Sequence, residues 1–425
     1  MKSAKACGVC PDTPYTETVA GSGPVFEVDR WLLRSFLKGM GSPLIGVRLW
    51  DGDWASGGPE AANQLVIRSR RSLWRLVVNP LLCFGDDFSA GTLEVEGDLV
   101  GFLEEVYRAL AKPGELRRRY GRLSRLSRSW WGNTLSGSRE NVQHHYDLGN
   151  DFYRLWLDDE MLYTCAYFPA PSVTLEQAQS AKMELICRKL RLKGGERVVE
   201  AGCGWGGMAR YMAKNYGARV RAFNISGEQV AYARERARRE GITGVEYLED
   251  DYRNISGECD AFVSVGMLEH VGPSNYRRLG GVIDRVLSRS GVGLIHSIGQ
   301  DVAQPMSDWL EKRIFPGSYT PTPREMMEIF EPWGLSVLDL ENLRLHYAST
   351  LRHWLRRFEA HQAEVEKKFD ANFARAWRLY LCGSIASFET GTLQLYQVLF
   401  SRQGNNEVPW TRQHLMDPGS RHGTV

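Results

Sequence analysis

The segment Arg197–Ser226, RVVEAGCGWGGMARYMAKNYGARVRAFNIS, constrains the fold more than any other part of the chain. Val198 and Val199 lead as a strand into the run Glu200-Ala201-Gly202-Cys203-Gly204-Trp205-Gly206-Gly207. A helical pattern then puts Met208, Tyr211 and Met212 on one face. Gly217 closes it, and Val220 and Phe223 begin a second strand. A strand–turn–helix–strand unit of this kind receives a small ligand at the carboxyl end of its first strand, where glycines let the backbone come close.

Gly202, Gly204 and Gly207 also satisfy G-x-G-x-x-G, a weak pattern that keeps a dinucleotide site as the rival reading. Two details favour S-adenosylmethionine. Glu200 stands two residues before the first glycine, as in class I methyltransferases. The second strand ends in Asn224, with Ser226 and Gln229 close by, where an NAD site usually offers an acid.

At 425 residues the chain has room for two domains. Its net charge of +2 gives no global polyelectrolyte signal. No apolar run approaches the roughly 20 residues that span a bilayer. The start, MKSAKACGVCPDTP, lacks the apolar core of a secretion signal. Eight scattered cysteines fit reduced thiols and a cytoplasmic setting. Cys7 and Cys10 form a lone CxxC with no partner ligands, and His144 and His145 are wrongly spaced for one helical metal face, so no metal site is expected.

The expected layout is a disordered tail over 1–25, a small α+β domain over 26–111, a basic linker over 112–138, a catalytic domain over 139–400 and a loose polar tail over 401–425. Within the N-terminal domain, strands are expected at Pro43–Trp50, Gln64–Ser69 and Gly91–Gly97. Leu73–Val78 reads as helix or strand, and a helix starts near Asp98. Lys112–Trp131 carries seven basic residues against one acid, Glu115. It reads as a solvated linker or as a contact with anionic lipid, while no recognition motif supports nucleic acid. Further strands are expected at Val245–Leu248, Asp260–Val265 and Gly293–Ile298, followed by a largely helical region from Pro323 to Phe400. Three strand ends then deliver Asp250-Asp251-Tyr252, Gly266–His270 and the residues after Ile298 to one sheet edge.

Several blocks together resemble one family. They are Asn141–Phe168 (NVQHHYDLGNDFYRLWLDDEMLYTCAYF), the glycine-rich turn, Val265–Gly272 (VGMLEHVG), His296-Ser297-Ile298-Gly299, Ile314-Phe315-Pro316-Gly317 and His346-Tyr347. From about residue 140 to 400 the chain resembles the cyclopropane-fatty-acyl-phospholipid synthases, which include the mycolic acid cyclopropane synthases. The resemblance implies an α/β fold: a Rossmann-like, doubly wound class I methyltransferase sheet, with a smaller N-terminal α+β domain and helical additions. It also implies a methyl group passed from S-adenosylmethionine to the cis double bond of an unsaturated phospholipid acyl chain, with proton loss closing a cyclopropane ring. A methyl-branched or methylene product is the nearest alternative. A small-molecule or nucleic-acid methyltransferase and a non-catalytic lipid-binding protein are alternatives of other classes.

By the same resemblance, donor contacts are expected from Tyr163, Thr164, Gly202, Cys203, Gly204, Trp205, Gly206, Asn224, Ser226, Gln229, Asp251, Tyr252 and Arg253. On residue grounds alone, Asn224 also suits a turn and Tyr252 also suits core packing. An alkene is a weak nucleophile, and its methylation leaves a carbocation that needs shielding from water and a base to remove a proton. The resemblance implies bicarbonate as that base. Glu269, His296 and Tyr347 would hold it by side chain, and Cys165 and Ile298 through the backbone. Taken singly, Glu269 also suits a helix cap and His296 a core histidine. The family often carries a late cysteine where this chain places Ser384. Cys382 lies two residues earlier, about 200° around a helix, and neither is assigned a catalytic role. A homodimer and peripheral binding to the inner face of an anionic membrane complete the expectations.

Overall fold

The computed structural model describes residues 23–110 and 148–416. The Cys7–Cys10 pair, the basic stretch Lys112–Trp131, His144 and His145 lie outside the described residues.

Two compact units emerge, and they differ from the expected division. The first contains 23–110 together with 306–316 and 351–392, and the second contains 148–305, 317–350 and 393–416. Parts of the expected 139–400 domain therefore belong with the N-terminal elements. The reason lies in the helix Ala371–Thr390, which buries Phe373, Trp377, Leu379, Tyr380, Leu381, Ile385 and Phe388. A helix apolar on so many sides has to be covered all round. Leu99–Leu110 and Pro80–Ser89 pack against it, and Arg375 donates from Nε to the Phe88 carbonyl at 2.8 Å.

The first unit has a four-stranded sheet of β1 (Gly46–Arg48), β2 (Trp54–Ser56), β3 (Gln64–Ile67) and β4 (Leu93–Glu96), in the order β2-β1-β3-β4. β1 and β3 are parallel and the other pairs antiparallel. The ambiguous Leu73–Val78 lies in a helix, Arg70–Val78, started by the Ser69 hydroxyl accepting the Ser72 amide at 3.2 Å.

The second unit is built on β5 (Arg197–Ala201), β6 (Arg219–Asn224), β7 (Val245–Glu249), β8 (Cys259–Val265), β9 (Leu287–Gly299), β10 (Leu335–Asn342) and β11 (Gln394–Arg402), ordered β10-β11-β9-β8-β5-β6-β7. β5 to β9 run parallel, and β11 runs antiparallel to both β9 and β10. The chain goes from β5 outward through β6 and β7, then returns to the other side as β8. That reversal opens a crevice at the carboxyl ends of β5 and β8.

Alternation along β5 divides the core. Val198 joins Met183, Ile186, Met208, Met212, Val230 and Ala233 on one face. Val199 and Ala201 join Leu279, Ile283 and Phe400 on the other. Each such side chain, fully buried, contributes about 1.5–3 kcal/mol.

Two strands replace part of the helical region expected over Pro323–Phe400. β11, QLYQVLFSR, is buried along almost its whole length, and a continuous apolar run does not distinguish strand from helix by period. β10 is an edge strand with Val337, Leu338 and Leu340 more than a third exposed, so it lacks clean alternation. The tail expected after Ser401 is ordered as far as a short helix at Gln413–Met416.

Candidate active site

The turn after β5 is pinned to β6. The amides of Gly202 and Cys203 both donate to the Phe223 carbonyl, at 2.9 and 3.0 Å. Gly204 has φ +52°, and a Cβ there would meet nothing within 4 Å. Its glycine is thus required by backbone conformation and leaves open space over the turn.

A pocket forms above this turn. Ten of the expected donor residues line it: Tyr163, Thr164, Gly202, Cys203, Gly204, Trp205, Asn224, Gln229, Asp251 and Tyr252. The structure assigns three others to supporting positions. Gly206 accepts the Tyr247 hydroxyl at 3.2 Å on its carbonyl. The Ser226 hydroxyl caps the helix Gly227–Arg239. The Arg253 guanidinium lies over the Tyr252 ring at 5.2 Å. Asn224 borders the pocket, but its amide is committed within the turn: Nδ2 donates to the Gly204 carbonyl at 3.2 Å and to Gln229 Oε1 at 2.8 Å. The neighbouring Gln229 Nε2 is buried without a partner and is the donor left for a ligand.

Residues 161–164 line one part of the pocket. The buried Asp158 carboxylate accepts the amides of Glu160 at 3.0 Å and Leu162 at 2.9 Å. Between them Met161 takes φ +58°, an uncommon conformation for a side chain of this size. Glu160 pairs with Arg210 and Arg236, each at 2.8 Å, on the helices that follow β5 and β6. Tyr163 packs against Tyr153 and Trp156, and Tyr153 against Trp205. Lys182 Nζ holds the Thr164 hydroxyl at 2.9 Å.

Lys182 and Glu200 also line the pocket, and the sequence reading gave neither a contact there. Burial lowers the Lys182 pKa to about 8, against the opposing pull of Asp158, Cys165 and Glu200. Burial raises Glu200 to about 7, with Lys182 drawing it down. One oxygen of Glu200 is buried without a partner. Asp158 is likewise raised to about 6 by burial. A sequence signal for Lys182 existed. Leu175, Gln179, Lys182, Ile186 and Lys189 follow helical spacing and are all buried, so two lysines fall on an otherwise inward stripe.

Among the expected anion-holding residues, Cys165 and Glu269 directly adjoin residues that line this pocket, Thr164 and His270. Gly266 lines the pocket, and its amide donates to the His296 carbonyl at 2.8 Å. Glu269 Oε1 accepts the Ile298 amide at 2.6 Å, so that amide is already used by Glu269 itself. Glu269 Oε2 and His296 Nε2 are both buried without partners. His296 and Ile298 are two apart on β9 and so face the same side. Burial raises Glu269 to about 7 and pushes His296 well below its ordinary value, helped by the charges of Lys182 and Lys189.

Cys165 and Tyr347 meet at Leu343. The Cys165 thiol lies 3.9 Å from the Leu343 carbonyl, which also accepts the Tyr347 amide at 3.2 Å. The Leu343 amide in turn donates to Leu395, the partner of Ile298 across β9 and β11. Complete burial pushes the Cys165 thiol far up, which removes it as a nucleophile at neutral pH. His270 lines the donor pocket, with Nδ1 3.1 Å from the Ser318 hydroxyl. Burial lowers it to about 4, so it is neutral at pH 7.

Two buried polar atoms without partners, Glu269 Oε2 and His296 Nε2, await a small polar group. A protonated Glu269 and a neutral imidazole can each donate to an anion without adding charge.

Comparison with known proteins identifies the family of the chain. Residues 134–398 match the sequence profile of the mycolic acid cyclopropane synthetase family. The chain is 34% identical to a probable fatty acid methyltransferase of Pseudomonas putida, covering 87% of this chain and 95% of that protein. It is 42% identical to the cyclopropane-fatty-acyl-phospholipid synthase of Escherichia coli K12, covering 62% of this chain and 68% of that one. Its fold matches the solved mycolic acid cyclopropane synthase CmaA1 complexed with SAH and CTAB, with a TM-score of 0.59 and 29% identity, over 62% of this chain and 98% of that one. With its class I sheet and its donor pocket, the chain is an S-adenosylmethionine-dependent methyltransferase and belongs to the mycolic acid cyclopropane synthetase family.

Proposed function

We propose that the protein adds a methylene group from S-adenosylmethionine across the cis double bond of an unsaturated phospholipid acyl chain, giving a cyclopropane. One observation carries this reading: Glu269 Oε2 and His296 Nε2 are buried without partners, while His270, next to Glu269, and Gly266, whose amide donates to the His296 carbonyl, line the donor pocket. A transferase acting on an amine or hydroxyl needs only a base for an acidic proton. Removing a proton from a new carbon–methyl group calls for a base held inside a dry pocket.

Bound S-adenosylmethionine would supply the electrophilic methyl group, and bound bicarbonate the base. The protein's own residues bind and enclose. Gln229 offers a donor to the ribose, Glu200 an acceptor to the methionine ammonium, and residues 161–164 keep water from one part of the pocket. Glu269, His296 and Tyr347 hold the base.

A second reading keeps the same machinery and ends in a methyl-branched or methylene chain. The Pseudomonas putida relative, matched over 87% of this chain, is a probable fatty acid methyltransferase. Mass spectrometry of lipids from cells producing the protein separates the two. A chain heavier by one CH2 with its unsaturation lost is a ring, whereas the same gain with an alkene retained overturns cyclopropane formation. The proposed setting is the cytoplasmic face of an anionic membrane, supported by the basic stretch Lys112–Trp131. Among the described residues no helix is long and apolar enough to cross a membrane.

A further inference from the structure

Behind His296 a line of buried polar groups runs away from the pocket. Gln397 on β11 pairs directly with His296 on β9. The Gln397 Nε2 to His296 Nδ1 distance is 3.1 Å. Gln397 Oε1 accepts Lys189 Nζ at 2.7 Å, and Lys189 also pairs with Glu341. Lys189, His296 and Gln397 are each no more than 2% exposed.

The chemistry of the three groups leaves one arrangement. An ammonium only donates, so the amide must turn its oxygen to Lys189. Its nitrogen then faces His296, and an amide nitrogen only donates, so Nδ1 must accept. A neutral imidazole that accepts at Nδ1 carries its proton at Nε2. Reversing the amide would set two donors against each other at Lys189, inside a buried region where an unmade hydrogen bond is costly. Burial and the charges of Lys182 and Lys189 oppose a second proton.

We propose that Gln397, oriented by Lys189, is a positioning residue that locks His296 as a neutral Nε2–H donor aimed at the anion beside the donor pocket. This rests on the reading of His296 as part of that anion-holding group. His296 then cannot act as the base, because the nitrogen facing the reaction already bears a proton. It binds an anion without bringing positive charge next to the sulfonium of the donor.

The test is the tautomer itself, read by two-bond proton–nitrogen NMR of full-length protein labelled with 15N-histidine. The protein carries no donor, lipid or bicarbonate, and the His296 signals are identified by their absence in His296→Asn. The expected result at pH 7 is a bare Nδ1 and a protonated Nε2. A proton on Nδ1, or an imidazolium, overturns the proposal. Gln397→Glu replaces the donor by a carboxylate that still pairs with Lys189, and the proton should move to Nδ1. An unchanged His296 pattern in folded Gln397→Glu overturns the positioning role. Because bicarbonate is absent, either result stands apart from whether bicarbonate is the base. That question is answered by whether bicarbonate depletion slows the wild-type enzyme.

Discussion

At Gly204 the side chain is absent for two reasons, a φ of +52° and the open space over it. A β-branched residue there is strained, and its methyl groups would enter the ligand's volume. Gly204→Val should therefore abolish S-adenosylmethionine binding, and normal affinity by calorimetry in folded variant would refute the donor site. Glu269 has a different signature. Its carboxyl is raised from 4.5 to about 7 by burial. The folded state thus holds the proton more tightly than the unfolded chain, so this contribution to stability is full below about pH 4.5 and is lost as pH rises through 7. Glu269→Gln never ionises. It should gain on wild type by an order of 3 kcal/mol between pH 4.5 and pH 8, read from urea midpoints. A constant difference across that range would contradict the buried, unpaired carboxyl. Glu269→Ala and Tyr347→Phe should both lower turnover far more than donor affinity, as losses confined to the reaction step. Glu269 and His296 stood out in the sequence through the family resemblance of the blocks around them; taken singly, each also suited a structural role. The sequence could not reveal that Asn224 spends its amide on the turn while Gln229 keeps a free donor. That division depends on side-chain rotation.

Among the elements, the segment leading into the pocket lining calls for its own experiment. Asp158 accepts two amides on either side of Met161, whose φ is +58°. Asp158→Ala removes both acceptors and leaves the turn without its brace. The expected cost is about 1–3 kcal/mol in stability, with weakened donor binding because Tyr163 and Thr164 follow directly. Unchanged donor affinity in the variant would separate this segment from the pocket. The strand–turn–helix–strand unit was legible because glycines, a helical period and a strand pattern agree over thirty residues. β10 and β11 were not. One is a weakly patterned edge and the other is too uniformly apolar to declare a period. Lys182 and Lys189 show how tertiary context decides meaning. Their spacing marks an inward face, but only the fold brings Thr164, Glu341 and Gln397 to them.

For the whole molecule, substrate access sets the demand. The double bond of the proposed substrate would lie inside a bilayer, and the proposed function therefore calls for docking at a membrane surface. The stretch Lys112–Trp131 couples seven basic residues to Trp130 and Trp131, side chains suited to a membrane interface. Each basic residue near an anionic surface contributes about 1 kcal/mol at most. Binding should favour anionic over neutral vesicles and weaken with salt. Changing Arg117, Arg118 and Arg119 to Gln should reduce sedimentation with anionic vesicles and leave donor binding intact. Equal sedimentation would make the stretch a linker only. Length and composition suggest two parts but do not show which segments come together in each compact unit. Membership of 306–316 and 351–392 in the first unit depends on contacts between residues more than two hundred positions apart.

That division has a consequence for how the protein is made. Residues 23–110 emerge from the ribosome first, yet the helix Ala371–Thr390 that completes their core is translated near the end. The large sheet waits longer still, since β11 sits between β9 and β10 and is the last of its strands to be synthesised. The first unit cannot close before Thr390 has been made, nor the sheet of the second before Arg402, and early apolar surface has to be kept from aggregation until then. A stop codon just ahead of the helix Ala371–Thr390 would take a core element from both halves at once.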